Sequence, residues 1–452
     1  MAIIPAKKKP RYLCIILMRK LVVIFILYFC AMKTHFHLYQ QRAEDFAKTA
    51  EILQTKFQKF SFVRLIVFTI GVGVTTFIGA NFGVVAAFIV GILALVGFAQ
   101  FVFWHLKIQR DQKHHAALAQ INENELAYLD KKYNQFSNGE DYVDAAHPFT
   151  VDLDIFGDYS FFQYTNRAST IIGKNRYANY LQHNATKEEI LNRHEATTEL
   201  RENIEWRQNL QAHGLATDDD LEHLKLLESW LKEPPFVLPN KGYQLAIWLM
   251  PIWFILSFVI GFLYLPHLGA LVLLIPQAWI IKKTVEKVNK VHLQTTYAEK
   301  TLAHYARLIA HIEKEEFKSK KLAALQTAFL GKNITSNKSA KNASAYIAEL
   351  SKIISQLNVR YNPFAILLNI SMMWDLKYIL RLEKWQRDLK GNLSQWFEYL
   401  AEFEAILSLS TLHYNHPDWI FPMIQDNPVF TGNQIGHPLI EKESRICNDI
   451  EI

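Results

Sequence analysis

Cysteine is nearly absent from this 452-residue chain, which has only Cys14, Cys30 and Cys447. They are dispersed, odd in number and never in C-x-x-C spacing, which argues against a disulfide framework and a zinc site. A reducing compartment follows. Charge is scarce too. A fifth of the residues are Asp, Glu, Lys or Arg while half are apolar, a more apolar balance than a typical soluble domain has. The formal net charge of +6 suits a membrane-proximal protein and a nucleic-acid binder alike, so it selects neither. The length allows two or three domains.

The apolar residues come in blocks. "LIVFTIGVGVTTFIGA" runs from Leu65 to Ala80 without a charge, and after Asn81 "FGVVAAFIVGILALVGFAQFVFW" reaches Trp104. Each is near the roughly 20 residues that cross a bilayer core, and so short a turn between them requires an antiparallel hairpin. A second pair spans Tyr243–Leu265 and Leu268–Ile281. Its last run is short and carries Pro276, which predicts a tilted, thinned or partly re-entrant helix. Lys59, Arg64, Lys107 and Arg110 flank the first hairpin, and Lys241, Lys282 and Lys283 flank the second. The tips have no Lys or Arg, so the positive-inside rule places the large polar segments in the cytosol.

No ionisable residue lies inside these runs, whereas a transporter would use one. Thr69, Thr75 and Thr76 are expected to bond back to their own helix. The sequons at Asn333, Asn337 and Asn342 then fall in a cytosolic polar loop and would carry no glycan. The N-terminus has two readings. "MAIIPAKKKPRYLCIILMRKLVVIFILYFCAM" resembles a signal anchor interrupted by Arg19 and Lys20, or else Met32 is the true start of an amphipathic helix.

The cytosolic parts read as helices. One begins at Thr186 as a cap, with Glu188 and Glu189 in its first turn, and runs to Gly214; a shorter one stops at Pro234-Pro235. His114 and His115 are adjacent, hence on different faces, and read as surface residues. A long helix is expected to leave the second hairpin and run through "TVEKVNKVHLQTTYAEKTLAHYARLIAHIEKEEF". From Trp374 a helical stripe follows: Leu376, Ile379, Leu380, Leu389, Leu393, Trp396, Phe397, Leu400, Phe403 and Leu407. Gly391 marks an expected bend or break. The final "PVFTGNQIGHPLIEKESRICNDIEI" is strand-like, but nothing in it is expected to close a sheet of its own.

The predicted fold is therefore mainly α, with two transmembrane helical hairpins, a cytosolic long-helix domain and a short strand-forming C-terminal end. Its divisions are 1–60 (basic and apolar, then amphipathic), 61–104 (hairpin 1), 105–150 (linker helix and acidic loop), 151–240 (core helices), 241–282 (hairpin 2), 283–425 (long helices) and 426–452 (strand-forming end).

One stretch fits neither a span nor a simple amphipathic repeat: "VDLDIFGDYSFFQYTNRASTIIGKNRYANYL", Val151–Leu181. Asp152, Asp154, Phe156, Gly157, Phe162, Asn166, Arg167, Thr170, Gly173, Arg176 and Leu181 match the opening of the core domain of the MutS family, DNA mismatch-repair ATPases. Ile190, Arg193, Ala196 and Leu200 continue the register. "EFEAILSLSTLHYNHPDWIFPMI" is similar to the family's helix leading back toward its ATPase domain. "GHPLI…RICNDI" is similar to that domain's opening strands, with His437, Pro438, Asn448 and Asp449 at the characteristic positions. The chain resembles in particular the shorter, membrane-anchored MutS-related proteins of bacteria, over most of 105–235 and 345–452.

This resemblance implies a core and lever made of long helices, with Phe161, Phe162 and Tyr164 as core and Arg167 bridging helices. It also implies an ATPase that binds DNA and closes as a dimer on ATP, a location in the bacterial inner membrane, and ATP and magnesium as cofactors where the ATPase domain is present. The chain departs from the family in its phosphate-binding loop. Gly173-Lys174 and Gly331-Lys332 are each followed by Asn and lack the earlier Gly of G-x-x-x-x-G-K-[ST]. The mismatch-reading Phe-x-Glu domain has no counterpart either. No catalytic, cofactor-binding or metal-binding residue is therefore assigned. The expectation is a front portion without its motor, arising from a frameshift, a truncated gene or a fragment, and monomeric or weakly associated. The competing expectation is a non-enzymatic membrane scaffold whose cytosolic helices bind a protein partner.

Overall fold

This computed structural model describes residues 10–215, 220–264, 269–331, 341–362, 365–426, 429–440 and 444–452, with the backbone alone for 10–34, 262, 269 and 270. The sequons at Asn333 and Asn337, and Lys332 of the second Gly-Lys pair, lie outside the described residues. The chain is mainly helical and forms two compact units, Met1–Thr165 with Leu409–Ile452, and Asn166–Ser408.

The first unit holds α1 (Pro10–Phe82), α2 (Val84–Leu129) and the short α3 (Phe161–Thr165). Gly83 alone separates the first two, at φ 91°, a left-handed conformation that a side chain would resist. The turn makes the two helices antiparallel neighbours. Small residues let them approach: a Cβ on Gly79 would lie 3.3 Å from that of Ala87, and one on Gly91 would lie 3.3 Å from a methyl of Thr75. Thr69, Thr75 and Thr76 donate to the carbonyls of Leu65, Gly71 and Val72, at 3.0, 2.7 and 3.1 Å, as their helical setting predicts.

The second unit holds α4 (Ile171–Gln182), α5 (Lys187–Glu202), α6 (Ile204–Leu215), α7 (Leu221–Lys232), α8 (Lys241–Tyr264), α9 (Ile275–Thr295), α10 (Ala298–Ile312), α11 (Lys320–Thr327), α12 (Ala343–Leu357), α13 (Ala365–Met372) and most of α14 (Trp374–Asn415). Its core is built on α14. Leu376, Ile379, Leu389, Leu393, Trp396, Leu400, Phe403 and Leu407 are all buried, as their spacing predicts, among Leu302, Ile309, Ile347 and Ile354 of α10 and α12. Each such side chain contributes about 1.5–3 kcal/mol on burial.

Among the described residues, three helices are long and apolar enough to cross a membrane: α1 over His35–Phe82, α2 over Val84–Leu129 and α8 over Lys241–Gly261. The fourth apolar run is resolved otherwise. Gly269–Leu274 forms a 3₁₀ turn, and α9 then starts with Pro276 in its first turn, where a missing N–H costs nothing.

Four expectations need correction. The helix begun at Thr186 stops at Asn203, whose side chain caps α6 by accepting from the Trp206 N–H at 3.2 Å. The long helix expected after the second pair of apolar runs is interrupted at Thr296-Tyr297, between α9 and α10. Gly391 neither caps nor breaks α14, which runs through it. The C-terminal end does pair with itself: β1 (Thr431–Ile435) and β2 (Asn448–Glu451) form an antiparallel two-stranded sheet with Thr431 opposite Glu451 and a register shift between Gly432 and Ile435.

Candidate functional site

The stretch singled out in sequence divides at the boundary between the units. In its first half, tight turns set up an aromatic triangle. Gly157 sits at φ 105°, and Asp154 and Tyr159 take left-handed values of 49° and 58°. The N–H groups of Phe161 and Phe162 return to the carbonyls of Asp154 and Ile155, both at 2.9 Å. Phe162 is fully buried, with its ring centroid 5.6 Å from Phe156 and 5.5 Å from Tyr142. Gly139 lies beneath, and a Cβ there would press on both phenylalanines. Phe161 and Tyr164 are half-buried, and the carboxylates of Asp152 and Asp154 face solvent.

Also in the first unit is a cluster the sequence reading did not single out. Tyr39 donates to Asn415 Oδ1 at 2.9 Å, and Asn415 Nδ2 donates to the buried Glu125 at 2.8 Å. The hydroxyls of Tyr128 and Tyr164 meet His416 Nε2 at 2.6 and 2.9 Å, and the His416 ring stacks on Trp419 at 4.1 Å. The signal was present in "HYNHPDW", where polar side chains sit in the register of a buried helical face.

The second half docks onto α14 through polar groups. Glu404, fully buried, accepts the backbone N–H of Ser169 at 2.9 Å and of Thr170 at 3.1 Å, and both of their hydroxyls. The Thr170 hydroxyl also receives the Gly173 N–H at 3.1 Å, capping α4. Four donor groups of two adjacent residues thus converge on one carboxylate. Gly173 leaves the room, since a Cβ there would overlap the Glu404 side chain. The Arg167 N–H donates to Ser408 Oγ at 2.9 Å, and the Ser408 hydroxyl donates to the Glu404 carbonyl at 3.1 Å. Arg167 itself is buried and donates to the Asn166 carbonyl at 3.0 Å, while Asn166 Oδ1 accepts from Ala168 N–H at 3.1 Å. Burial pushes the Glu404 carboxyl above the usual carboxylate range, against the pull of Ser169 and Thr170.

Beside it, Glu402 gathers cations from three other helices. Lys321 of α11 lies 2.7 Å away, Arg176 of α4 3.5 Å and Arg193 of α5 3.9 Å. Lys321 and Arg193 also meet Glu189, at 2.7 and 3.1 Å. Burial alone would raise the Glu189 carboxyl, but Lys321 and Arg193 together outweigh it and hold it below its ordinary value. Tyr180 donates to Glu402 and lies under the Arg193 guanidinium at 3.5 Å; burial, then the Glu402 charge, pushes its phenol far up. The site is a joint: it ties α4, α5, α11 and α14 together through Glu402 and Glu404.

The four C-terminal positions of the resemblance, His437, Pro438, Asn448 and Asp449, fall elsewhere, on the β1–β2 sheet and its connection. Asp449 accepts the Gln434 N–H at 2.8 Å, the Arg445 guanidinium donates to the His437 carbonyl at 3.3 Å, and Asn448 stands opposite Ile435. Pro438 follows in the same connection, half-buried. Among the described residues no three His, Cys, Asp or Glu side chains are placed to hold a metal ion. Comparison with family models, curated proteins and solved structures finds no match to this chain.

Proposed function

We propose that this chain is a membrane-anchored, MutS-related protein of the bacterial inner membrane, multi-pass, with its large polar segments in the cytosol. Its helical joint is the part that would pass motion between a DNA-binding lever and an ATPase. The observation that carries this reading is the meeting at Glu404. Asn166–Arg176 and the "EFEAILSLS" segment each resemble the family independently, and they stand more than 200 residues apart in sequence. Their convergence on one buried carboxylate is what a core-and-lever arrangement requires, and this supports the reading.

Within this reading DNA is the ligand, and ATP and magnesium belong to the ATPase domain rather than to these residues. The test uses the full chain in nanodiscs and fluorescence anisotropy with a short duplex, matched or carrying one mismatch, between 50 and 200 mM salt. Binding that weakens by several powers of ten across that range is expected, since each phosphate contact releases counterions. No binding at the lowest salt would discard the DNA reading and leave the membrane scaffold with a protein partner.

A further inference from the structure

A cavity of about 410 Å³ opens between α9, α13 and the start of α14. Ile281, Val285, Ile370 and Met373 make its walls, and Lys282, Arg360 and Asp375 are its charged members. Asp375 is 9% exposed, and its Oδ1 makes no hydrogen bond. Arg360 Nη1 lies 3.4 Å from the other oxygen of Asp375 but likewise makes no hydrogen bond, while its Nη2 is spent on Asn289 at 2.7 Å. The two residues are paired by charge, yet a buried acceptor atom and a buried donor atom line the same cavity without a hydrogen bond, which costs free energy unless something enters. Burial pushes the Asp375 carboxyl up even with Arg360 beside it.

The surroundings identify the occupant. The cavity lies where the apolar run of α9 ends at Lys282 and Lys283, and the Lys283 ammonium sits 5.0 Å from the Trp279 ring, a pairing typical of the membrane–water boundary. On α13, Ile366 at the cavity's edge is 72% exposed and Leu367 57%; Ile275 and Trp279 of α9 are 60% and 61% exposed. A short helix with its apolar side outward, packed against the candidate span α8, suits the bilayer surface rather than water. Two cations and one carboxylate give the cavity one positive charge in excess.

We propose that this cavity holds one glycerophospholipid drawn from the membrane. Its phosphate lies against Lys282 and Arg360, a headgroup N–H or O–H donates to Asp375 Oδ1, and part of one acyl chain lies along Ile281, Val285 and Ile370. The volume falls in the ~300–1,000 Å³ range of small-molecule sites, so the rest of the lipid remains in the bilayer. The inference rests on the membrane reading of the second hairpin and not on the family resemblance.

The test reconstitutes the full chain in vesicles of phosphatidylethanolamine and phosphatidylglycerol, or of phosphatidylcholine, whose headgroup has no hydrogen-bond donor. Mild detergent extraction and native mass spectrometry then count retained lipid. One lipid per chain is expected from the first vesicles and roughly ten-fold less from the second, the worth of one charge-assisted hydrogen bond. Ile370→Trp, which fills the cavity, is expected to abolish retention, and the exposed Lys282→Ser to reduce it several-fold. Equal retention by Ile370→Trp and the unaltered chain would overturn the proposal, as would displacement of the lipid by free glycerophosphate. If the membrane reading itself fails, alkaline carbonate releases the protein from the vesicles, which an empty cavity alone would not cause.

Discussion

Phe162 and Thr170 lie close in sequence and are both buried, yet one is held by aromatic rings and the other by a carboxylate. The aromatic half of the stretch gains from area: rings pack at 5.5–5.6 Å and the acidic side chains stay in water. The polar half gains from satisfaction. Glu404 has its acceptor capacity filled by two N–H groups and two hydroxyls, with a glycine opened to admit it. A ring triangle tolerates small adjustments, because dispersion contacts are many and weak. A buried carboxylate does not, because each missing partner leaves a desolvated group alone. The polar half is therefore the sensitive one.

Glu404→Ala gives the largest effect on that comparison. It strands the N–H groups and hydroxyls of Ser169 and Thr170 in the core, and the expected loss is about 4–5 kcal/mol in chemical denaturation of the purified protein. Glu404→Gln keeps the shape and sharpens the point through pH. The Glu404 carboxyl has a folded value above its ordinary 4.5, so the folded state holds the proton more tightly than the unfolded state. Its contribution is complete below about pH 4.5 and is lost as pH rises through the raised folded value. Glu404→Gln removes that decline. Unfolding midpoints that keep the same pH slope in the variant would show that Glu404 is not the group responsible.

Two glycines give an intermediate effect and separate space from backbone conformation. Gly173 has an ordinary helical backbone, but its Cβ would meet Glu404, so Gly173→Ala is expected to cost about 2–3 kcal/mol by overpacking. Gly157 has nothing near its Cβ, but its φ is 105°, so Gly157→Ala is expected to cost about 1–2 kcal/mol of strain. Thermal unfolding ranks the pair. A larger loss at Gly157 would mean that the aromatic half is the tighter of the two.

Much of this was legible in the sequence where the cause is local. Thr186 caps α5 as read, accepting the Glu189 N–H at 3.2 Å, and the apolar stripe of α14 is buried from Leu376 to Leu407 except for the half-buried Phe397. What was not legible depends on partners distant in sequence. The interruption after α9 is held by Asn358, whose Oδ1 receives the Thr296 hydroxyl at 2.8 Å. Gly391 ran straight because nothing packs where its Cβ would be, so no close approach uses it as a hinge.

The buried polar residues of α14 lay within reach of sequence reasoning. Glu383 stands four residues after Ile379, and Gln386 three after Glu383, in the register of the stripe itself. A charged side chain in an apolar stripe asks for a partner. Glu383 accepts the N–H groups of Phe236, Val237 and Leu238, at 2.7, 3.0 and 2.6 Å, and Gln386 donates to the carbonyls of Trp230, Leu231 and Glu233. Glu402 and Glu404 continue the same logic.

The smallest effect belongs to Asp152 and Asp154, the two acidic positions of the resemblance. Both carboxylates face solvent, and the left-handed backbone of Asp154 is tolerated by Asn as readily as by Asp. Asp152→Asn and Asp154→Asn therefore change charge and little else. The expected stability change in thermal unfolding is within about 0.5 kcal/mol for each, the usual range for exposed substitutions. A loss above about 1 kcal/mol would mean that these carboxylates have a partner that holds them. In that case the aromatic half, too, would be fastened by polar groups, and the contrast with Glu404 would fall.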